Sequence, residues 1–193
     1  MNASFSYSSF AGFSLLQRGD LQTMLLQTKN YLDSGGQEQV LIFDNDTGKQ
    51  VDFDFRGTPQ EVVSRAQAPE PRRGPGRPRI GVVSGEVTLL PAQWEWLERQ
   101  PRKASGTLRW LIEAARKNEN PDERSRQLLD AAGRFMWSMA GNLEGFEEAS
   151  RALYAEKWPK LQELTAAWPG GLRDQLEWMV RRARGMKAAG ETA

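Results

Sequence analysis

Short apolar segments alternate with short polar segments through the first third of the chain, a pattern typical of a small module of strands and helices. Residues 4–13 are small and aromatic and predict a first strand. The apolar residues of 21–32 recur at helical spacing, after Asp20 as a cap. Residues 40–43 are a continuous apolar run and residues 51–55 alternate apolar with acidic side chains, so both predict strands.

A short second helix is predicted by Thr58-Pro59-Gln60-Glu61, in which Thr58 is a cap and Pro59 suits the first turn. Residues 1–66 therefore predict a β-α-β-β-α module. Residues 67–83 then become rich in Pro, Gly and Arg. Because such a segment neither pairs as a strand nor continues a helix, we expect an extended linker.

The segment 84–120 has the pattern of one strand followed by two helices. Residues 86–90 predict the strand, Pro91 opens a first helix that ends near Pro101, and Ser105 caps a second helix after a basic turn. The apolar positions of the second helix follow the i, i+3, i+4, i+7 pattern, at Leu108, Leu111, Ile112 and Ala115.

Apolar residues at helical spacing continue through 121–184, which predicts a C-terminal helical bundle with breaks at Gly141-Asn142 and at residues 168–171. The residues Phe135-Met136-Trp137 could line a small-molecule pocket, although such stripes usually form core. Residues 185–193 predict a flexible tail. The predicted fold class is therefore α+β, with an N-terminal module, a central unit and a helical bundle.

Composition removes most enzyme classes. The 193 residues include no Cys and no His, which excludes disulfides, thiolate metal sites, cysteine nucleophiles and histidine bases. The acidic residues Asp44, Asp46 and Asp52 do not have the spacing of a calcium loop and fit a hairpin turn better. We therefore expect no enzyme activity, no metal and no cofactor.

The N-terminal sequence, the lack of long apolar stretches and the net charge say little about which molecules the protein binds. Residues 1–4 lack a basic start, and no stretch approaches the roughly 18 apolar residues of a membrane span. We expect a cytoplasmic protein without membrane contact. The formal net charge is only +1, so any polyanionic partner must be predicted from the local distribution of Arg and Lys.

Residues 86–117 resemble the ribbon-helix-helix (Arc/MetJ-like) family of bacterial repressors, most closely at residues 105–115, Ser-Gly-Thr-Leu-Arg-Trp-Leu-Ile-Glu-Ala-Ala. In that family two chains pair their strands and interlock four helices, so the resemblance implies a homodimer through paired strands. It also implies that the ribbon enters the major groove of DNA and that the start of the second helix holds phosphate.

Carried onto this chain, the resemblance places Val87 and Leu89 in the core, Glu86 and Thr88 against DNA, and residues 104–106 against phosphate. Glu86 departs from the pattern, because a carboxylate accepts only from cytosine and repels the DNA backbone. The alternative is that the unit serves dimerisation only, with a solvated basic surface.

The linker adds a second basic element. Its Arg72-Arg73-Gly74-Pro75-Gly76-Arg77-Pro78-Arg79 resembles an AT-hook, whose Gly-Arg-Pro core inserts arginines into the minor groove of AT-rich DNA. A plain Pro-Arg-Gly linker is the alternative. The predicted DNA-binding residues are Arg72, Arg73, Arg77, Arg79, Glu86, Thr88, Arg102, Lys103, Ser105 and Arg109.

Over nearly its full length, the chain resembles an uncharacterised bacterial family, domain of unknown function 2239. The resemblance covers residues 41–44, 51–57, 76–79, 86–91 and 139–149. We expect a DNA-binding homodimer, a transcriptional regulator or nucleoid-associated factor. The alternative is a protein-interaction module, antitoxin-like or a scaffold, that dimerises through the same unit and binds a protein partner on its C-terminal helices.

Overall fold

The computed structural model describes residues 6–67, 86–117 and 120–191, and these residues form an α+β fold. They contain eight helices and a three-stranded antiparallel sheet. The strands are β1 (Tyr7–Ala11), β2 (Ser14–Gly19) and β3 (Val40–Asp44). The helices are α1 (Leu21–Asp33), α2 (Pro59–Gln67), α3 (Pro91–Glu98), α4 (Lys103–Lys117), α5 (Pro121–Ala140), α6 (Phe146–Tyr154), α7 (Trp158–Leu164) and α8 (Gly170–Glu191).

The described residues divide into two compact units. Unit 1 consists of residues 6–67 together with residues 120–191, and unit 2 consists of residues 86–117. The N-terminal strands and the C-terminal helices, which the sequence pattern presents as separate modules, thus form one unit. Residues 185–191, where we expected a tail, continue helix α8.

The sheet of unit 1 has the order β2-β1-β3 and is covered by helices on both faces. On one face Phe10 and Phe43 pack against Phe135 of α5, with ring centroids 5.5 and 5.1 Å from the Phe135 ring. On the other face Ile42 packs with Met24 of α1 and with the remaining members of a smaller core, Leu25 and Val62. Neighbouring residues of β3 therefore serve opposite cores, as the alternation of side chains along a strand requires.

The predicted order of the N-terminal module was wrong, because the elements follow as β-β-α-β-α. Residues 14–19, which show no clear alternation, form a strand that joins β1 through a turn at Gly12, where φ is +52°. Residues 51–55 form no strand: the Val51 N–H donates to the Ile42 carbonyl at 2.9 Å and the backbone then leaves the sheet. The predicted facing of Val51, Phe53 and Phe55 nonetheless holds, since all three pack on the smaller core.

The predicted helix starts of unit 1 are confirmed. The Asp20 carboxylate accepts from the Thr23 N–H at 2.9 Å and caps α1. Thr58 and Glu61 form a reciprocal capping box at α2, in which the Glu61 carboxylate accepts from the Thr58 N–H at 2.7 Å. The Asp20 and Thr58 caps depend only on neighbouring residues, which is why the sequence predicts them, while the reciprocal contact of Glu61 was not predicted.

A buried polar cluster ties β1, the loop after β3 and α8 together. The Ser8 hydroxyl donates to Asn45 Oδ1 at 3.0 Å, and Gln175 Nε2 donates to the same oxygen at 2.9 Å. Arg18 of β2 donates to Gln175 Oε1 at 2.7 Å. Ser8, Asn45 and Gln175 are buried, while Arg18 is half-buried. Because these groups satisfy one another, the cluster specifies how α8 lies on the sheet.

Candidate nucleic-acid interface

Unit 2 is a hairpin of two helices. Pro91 occupies the first turn of α3, and the Leu90 N–H donates to Gln93 Oε1 at 2.9 Å. The chain reverses after Glu98, with the Lys103 N–H bonded to the Gln100 carbonyl at 2.9 Å. The predicted helices are therefore present, but α4 begins at Lys103 rather than after Ser105, so the predicted Ser105 cap was wrong.

Residues 86–90, the predicted strand, have no regular secondary structure. A strand forms only when its backbone groups have a partner strand, and none of the other described residues supplies one. Glu86 and Thr88 are exposed, as the ribbon-helix-helix resemblance implies, but Val87 is exposed as well and Leu89 is half-buried. In the single chain, the side chains of this segment therefore do not alternate between a buried face and an exposed face.

The hairpin leaves most of its apolar side chains in solvent. Among its described residues only Leu97 and Thr107 are buried. A groove of about 390 Å³ runs between the helices and is lined almost entirely by apolar side chains. Its lining comprises Leu89, Ala92, Gln93, Trp96, Leu97, Leu108 and Leu111. The large exposed apolar residues of the unit are Val87, Leu90, Trp94, Trp96, Trp110, Leu111 and Ile112.

Basic side chains gather at the turn before α4. Arg102 and Lys103 are exposed, and the Arg102 guanidinium lies 5.6 Å from the centroid of the Trp110 ring. Arg109, also exposed, donates from Nε to the Ser105 carbonyl at 3.1 Å. The first turn of α4 carries no acidic residue. The basic side chains therefore add to the positive end of the helix dipole.

Lys103 has an unusual backbone conformation for a lysine, with φ at +52°. A non-glycine residue in this left-handed region costs roughly 1–2 kcal/mol. The turn thus holds a basic side chain at the start of α4 in spite of backbone strain.

Of the ten predicted DNA-binding residues, the structure brings Arg102, Lys103, Ser105 and Arg109 together at one end of α4. Glu86 and Thr88 lie in the segment before α3. Arg72, Arg73, Arg77 and Arg79 lie outside the described residues.

The acidic residues around β3 have structural partners. Asp44 accepts from the backbone N–H groups of Asp46 and Thr47 at 2.8 and 2.9 Å, as in a tight turn. Asp46 pairs with Arg124 of α5 and Arg182 of α8. The described residues contain no group of three or more potential metal-ligating side chains.

Aromatic side chains of unit 1 form a second exposed surface. Phe135 and Met136 are buried, but Trp137 is 71% exposed and packs edge-on against Phe146 at a centroid distance of 5.6 Å. Tyr154 of α6 is also largely exposed. The helical pattern predicted the buried residues, while the exposure of Trp137 follows only from how α5 lies on the sheet.

Comparison with protein families gives a match over most of the chain. A protein-family model described as "Uncharacterized protein conserved in bacteria" matches residues 6–180, which is most of the chain. No curated protein and no solved structure matches significantly. Within the described part of the chain, none of the helices combines the length and the apolar character needed to cross a membrane.

Proposed function

The chain belongs to this bacterial DUF2239 family, and because the family description assigns no activity, we propose a function from the chain's own residues. The protein acts as a DNA-binding homodimer, as a transcriptional regulator or nucleoid-associated factor. The observation that carries this proposal is the hairpin of unit 2, which exposes an apolar surface beside a basic turn.

The exposed apolar surface supports dimerisation. Burying a large apolar side chain stabilises by about 1.5–3 kcal/mol relative to leaving it exposed. Trp96, Leu111 and Ile112 are exposed on a hairpin that buries little of itself. In the proposed dimer, residues 86–90 of two chains pair as strands and the helices of each chain cover the apolar groove of the other.

The basic turn supports contact with a DNA backbone. Arg102, Lys103 and Arg109 are exposed and make no ion pair with a described residue, so their charges face solvent. The Lys103 N–H is already bonded to the Gln100 carbonyl. The N–H groups that follow in the first turn of a helix lack an acceptor within the helix, and a phosphate can satisfy such groups. In a symmetric dimer the two turns would offer two phosphate sites.

The linker supplies the other half of the proposal. Arg72, Arg73, Arg77 and Arg79, in their Pro/Gly context, would act as an arm in the minor groove. Glu86 on the ribbon disfavours purine readout. The proposed binding therefore depends mainly on backbone charge and on groove shape, with a preference for AT-rich sequences.

The test is a salt titration of binding to AT-rich and GC-rich duplexes. We compare the native protein with Arg102→Gln/Lys103→Gln, with Arg77→Ala/Arg79→Ala, and with Arg151→Gln as a control. Arg151 is an exposed arginine of α6 that is paired with Glu147 and Glu148. Each phosphate contact contributes a slope of about −0.9 to the plot of log affinity against log salt.

The first double variant removes four charges from the proposed dimer, so we expect it to reduce the steepness of the slope by about 3.6 if all four contact phosphate. The linker variant should lose the AT preference, and Arg151→Gln should bind as the native protein does. If neither duplex binds at low salt, or if the control weakens binding as much as the turn variant, the DNA proposal fails.

The alternative is an interaction module in which the same dimer presents a protein-binding surface. The exposed pair Trp137 and Tyr154 favours it, since aromatic residues often dominate protein interfaces. A stable dimer that binds neither duplex would support this alternative over the DNA function.

A further inference from the structure

A groove of about 370 Å³ lies between α7 and α8 of unit 1, and it is lined by none of the residues of the surfaces considered above. Its walls carry Trp158, Arg173, Arg181 and Arg184, together with the carboxylates of Asp174 and Glu177. Its floor consists of the core residues Leu161, Leu176 and Val180. The volume lies in the range of small-molecule sites, about 300–1,000 Å³.

Two of the three arginines lack a carboxylate partner. Arg184 makes no ion pair with a described residue, and Arg173 donates only to the Ala166 carbonyl, at 3.2 Å. Arg181 lies 3.7 Å from the Glu177 carboxylate, a loose contact. Elsewhere in unit 1, Arg124 and Arg182 are both paired with Asp46. The groove thus holds guanidinium groups that remain available for an anion.

Trp158 places an aromatic surface beside these charges. It is half-buried against the main core, and the Arg184 guanidinium lies 5.6 Å from the centroid of its ring. A guanidinium within about 6 Å of an indole is attracted to the ring and is partly held in place by it. The groove therefore combines a flat apolar wall with a positioned cation.

We propose that this groove binds a small anion that carries a flat aromatic ring, and nucleoside monophosphates are the class that fits best. The ring would stack on Trp158 over the apolar floor, and the anionic group would bind Arg184 and Arg173. Guanidinium groups favour such anions, because they form bidentate hydrogen bonds to phosphate and carboxylate. This inference is independent of the proposed dimer and of DNA binding.

The two carboxylates restrict the ligand. Asp174 and Glu177 line the same groove as the arginines, so the net charge of the lining is small. They would repel a polyphosphate or a nucleic-acid strand, whose charges are spread along its length. They would accept hydrogen bonds from sugar hydroxyls or ring amino groups. This arrangement favours a compact ligand with one anionic group over a polymer.

The test uses calorimetry and protein-observed NMR on the full chain, with AMP, adenosine, inorganic phosphate and indole-3-acetate as probes. Variants are Arg184→Met and Trp158→Leu, and Arg151→Met on α6 is the control. The indole N–H resonance of Trp158, assigned by its loss in Trp158→Leu, reports binding at the groove itself.

We expect saturable AMP binding that shifts the Trp158 resonance, with adenosine and phosphate alone at least about tenfold weaker. Arg184→Met should weaken AMP binding by about tenfold or more, since it removes a charge-assisted pair, while Arg151→Met should not. Equal binding of indole-3-acetate would support the same chemistry with an aromatic carboxylate as the ligand. If neither AMP nor indole-3-acetate saturates, or if Arg184→Met binds as the native protein does, the proposal is overturned.

Discussion

At the residue scale, two glycines are required for different reasons, one for its backbone conformation alone and the other also for a tertiary contact. Gly35 has φ +85° and open space around it, whereas Gly48 has φ +68° and lies directly against the backbone of α5. A β-carbon at Gly48 would stand 2.0 Å from the Ala131 carbonyl oxygen. Turn chemistry in residues 44–49 predicts a glycine turn, but only the structure shows that this turn packs on α5.

We predict that Gly35→Ala costs about 1–2 kcal/mol of unfolding free energy, the cost of a left-handed alanine. Gly48→Ala should cost about 2–5 kcal/mol, because overpacking adds to the backbone term. Urea denaturation of both variants measures the difference. Equal losses of unfolding free energy in the two variants would mean that α5 can move away from residue 48 at little cost, which would contradict the prediction.

At the element scale, the starts of α1 and α2 are the best-predicted features of the chain, whereas the predicted Ser105 cap of α4 was wrong. Asp20 and Thr58 cap their helices as the sequence predicts, since capping involves residues only three apart. Strand pairing was harder: residues 14–19 pair with β1 although their pattern is weak, and residues 51–55 have the pattern of a strand without pairing. Pairing depends on distant partners that a local pattern does not contain.

Asp20 gives a pH-dependent prediction at this scale. Hydrogen bonds from the Thr23 backbone N–H, and then from the Thr23 hydroxyl, lower the pKa of Asp20. Its stabilising effect is therefore present above the unfolded-state pKa of about 3.9 and is lost as the pH falls through the lower folded-state pKa.

We predict that Asp20→Ala lowers the unfolding free energy by about 1 kcal/mol at pH 7, with a smaller loss in strong acid. Asp20→Asn, which keeps an acceptor but does not titrate, should stay close to the native stability at pH 7. Denaturation at both pH values checks this. A loss that is as large in acid as at neutral pH would contradict the cap mechanism.

At the scale of the whole molecule, unit 1 is formed by the N-terminal and C-terminal parts of the chain together. The Ser8 hydroxyl contacts Gln175, 167 residues away, at 3.2 Å. Phe10, Phe43 and Phe135 likewise join the two ends of the chain in one core. Unit 2 is an insertion between them that buries little of its own apolar surface.

We predict that replacing residues 69–119 by a flexible Gly/Ser linker of about 20 residues leaves unit 1 folded and monomeric. The full chain should be a dimer, and Leu111→Glu should make it monomeric without unfolding unit 1. Analytical ultracentrifugation and circular dichroism measure assembly and folding separately. A shortened chain that still dimerises would place the interface in unit 1.

The sequence alone was enough for the α+β class, the helix starts at Asp20 and Thr58, the break after α5 and the exclusion of Cys and His chemistry, because each depends on composition or on near neighbours. The tertiary structure alone decided three things: which residues pair as strands, that the two ends of the chain share one core, and that Trp158 and Arg184 meet in a groove. These contacts join residues far apart in the chain or on different helices, and their free energy depends on packing that no local pattern records.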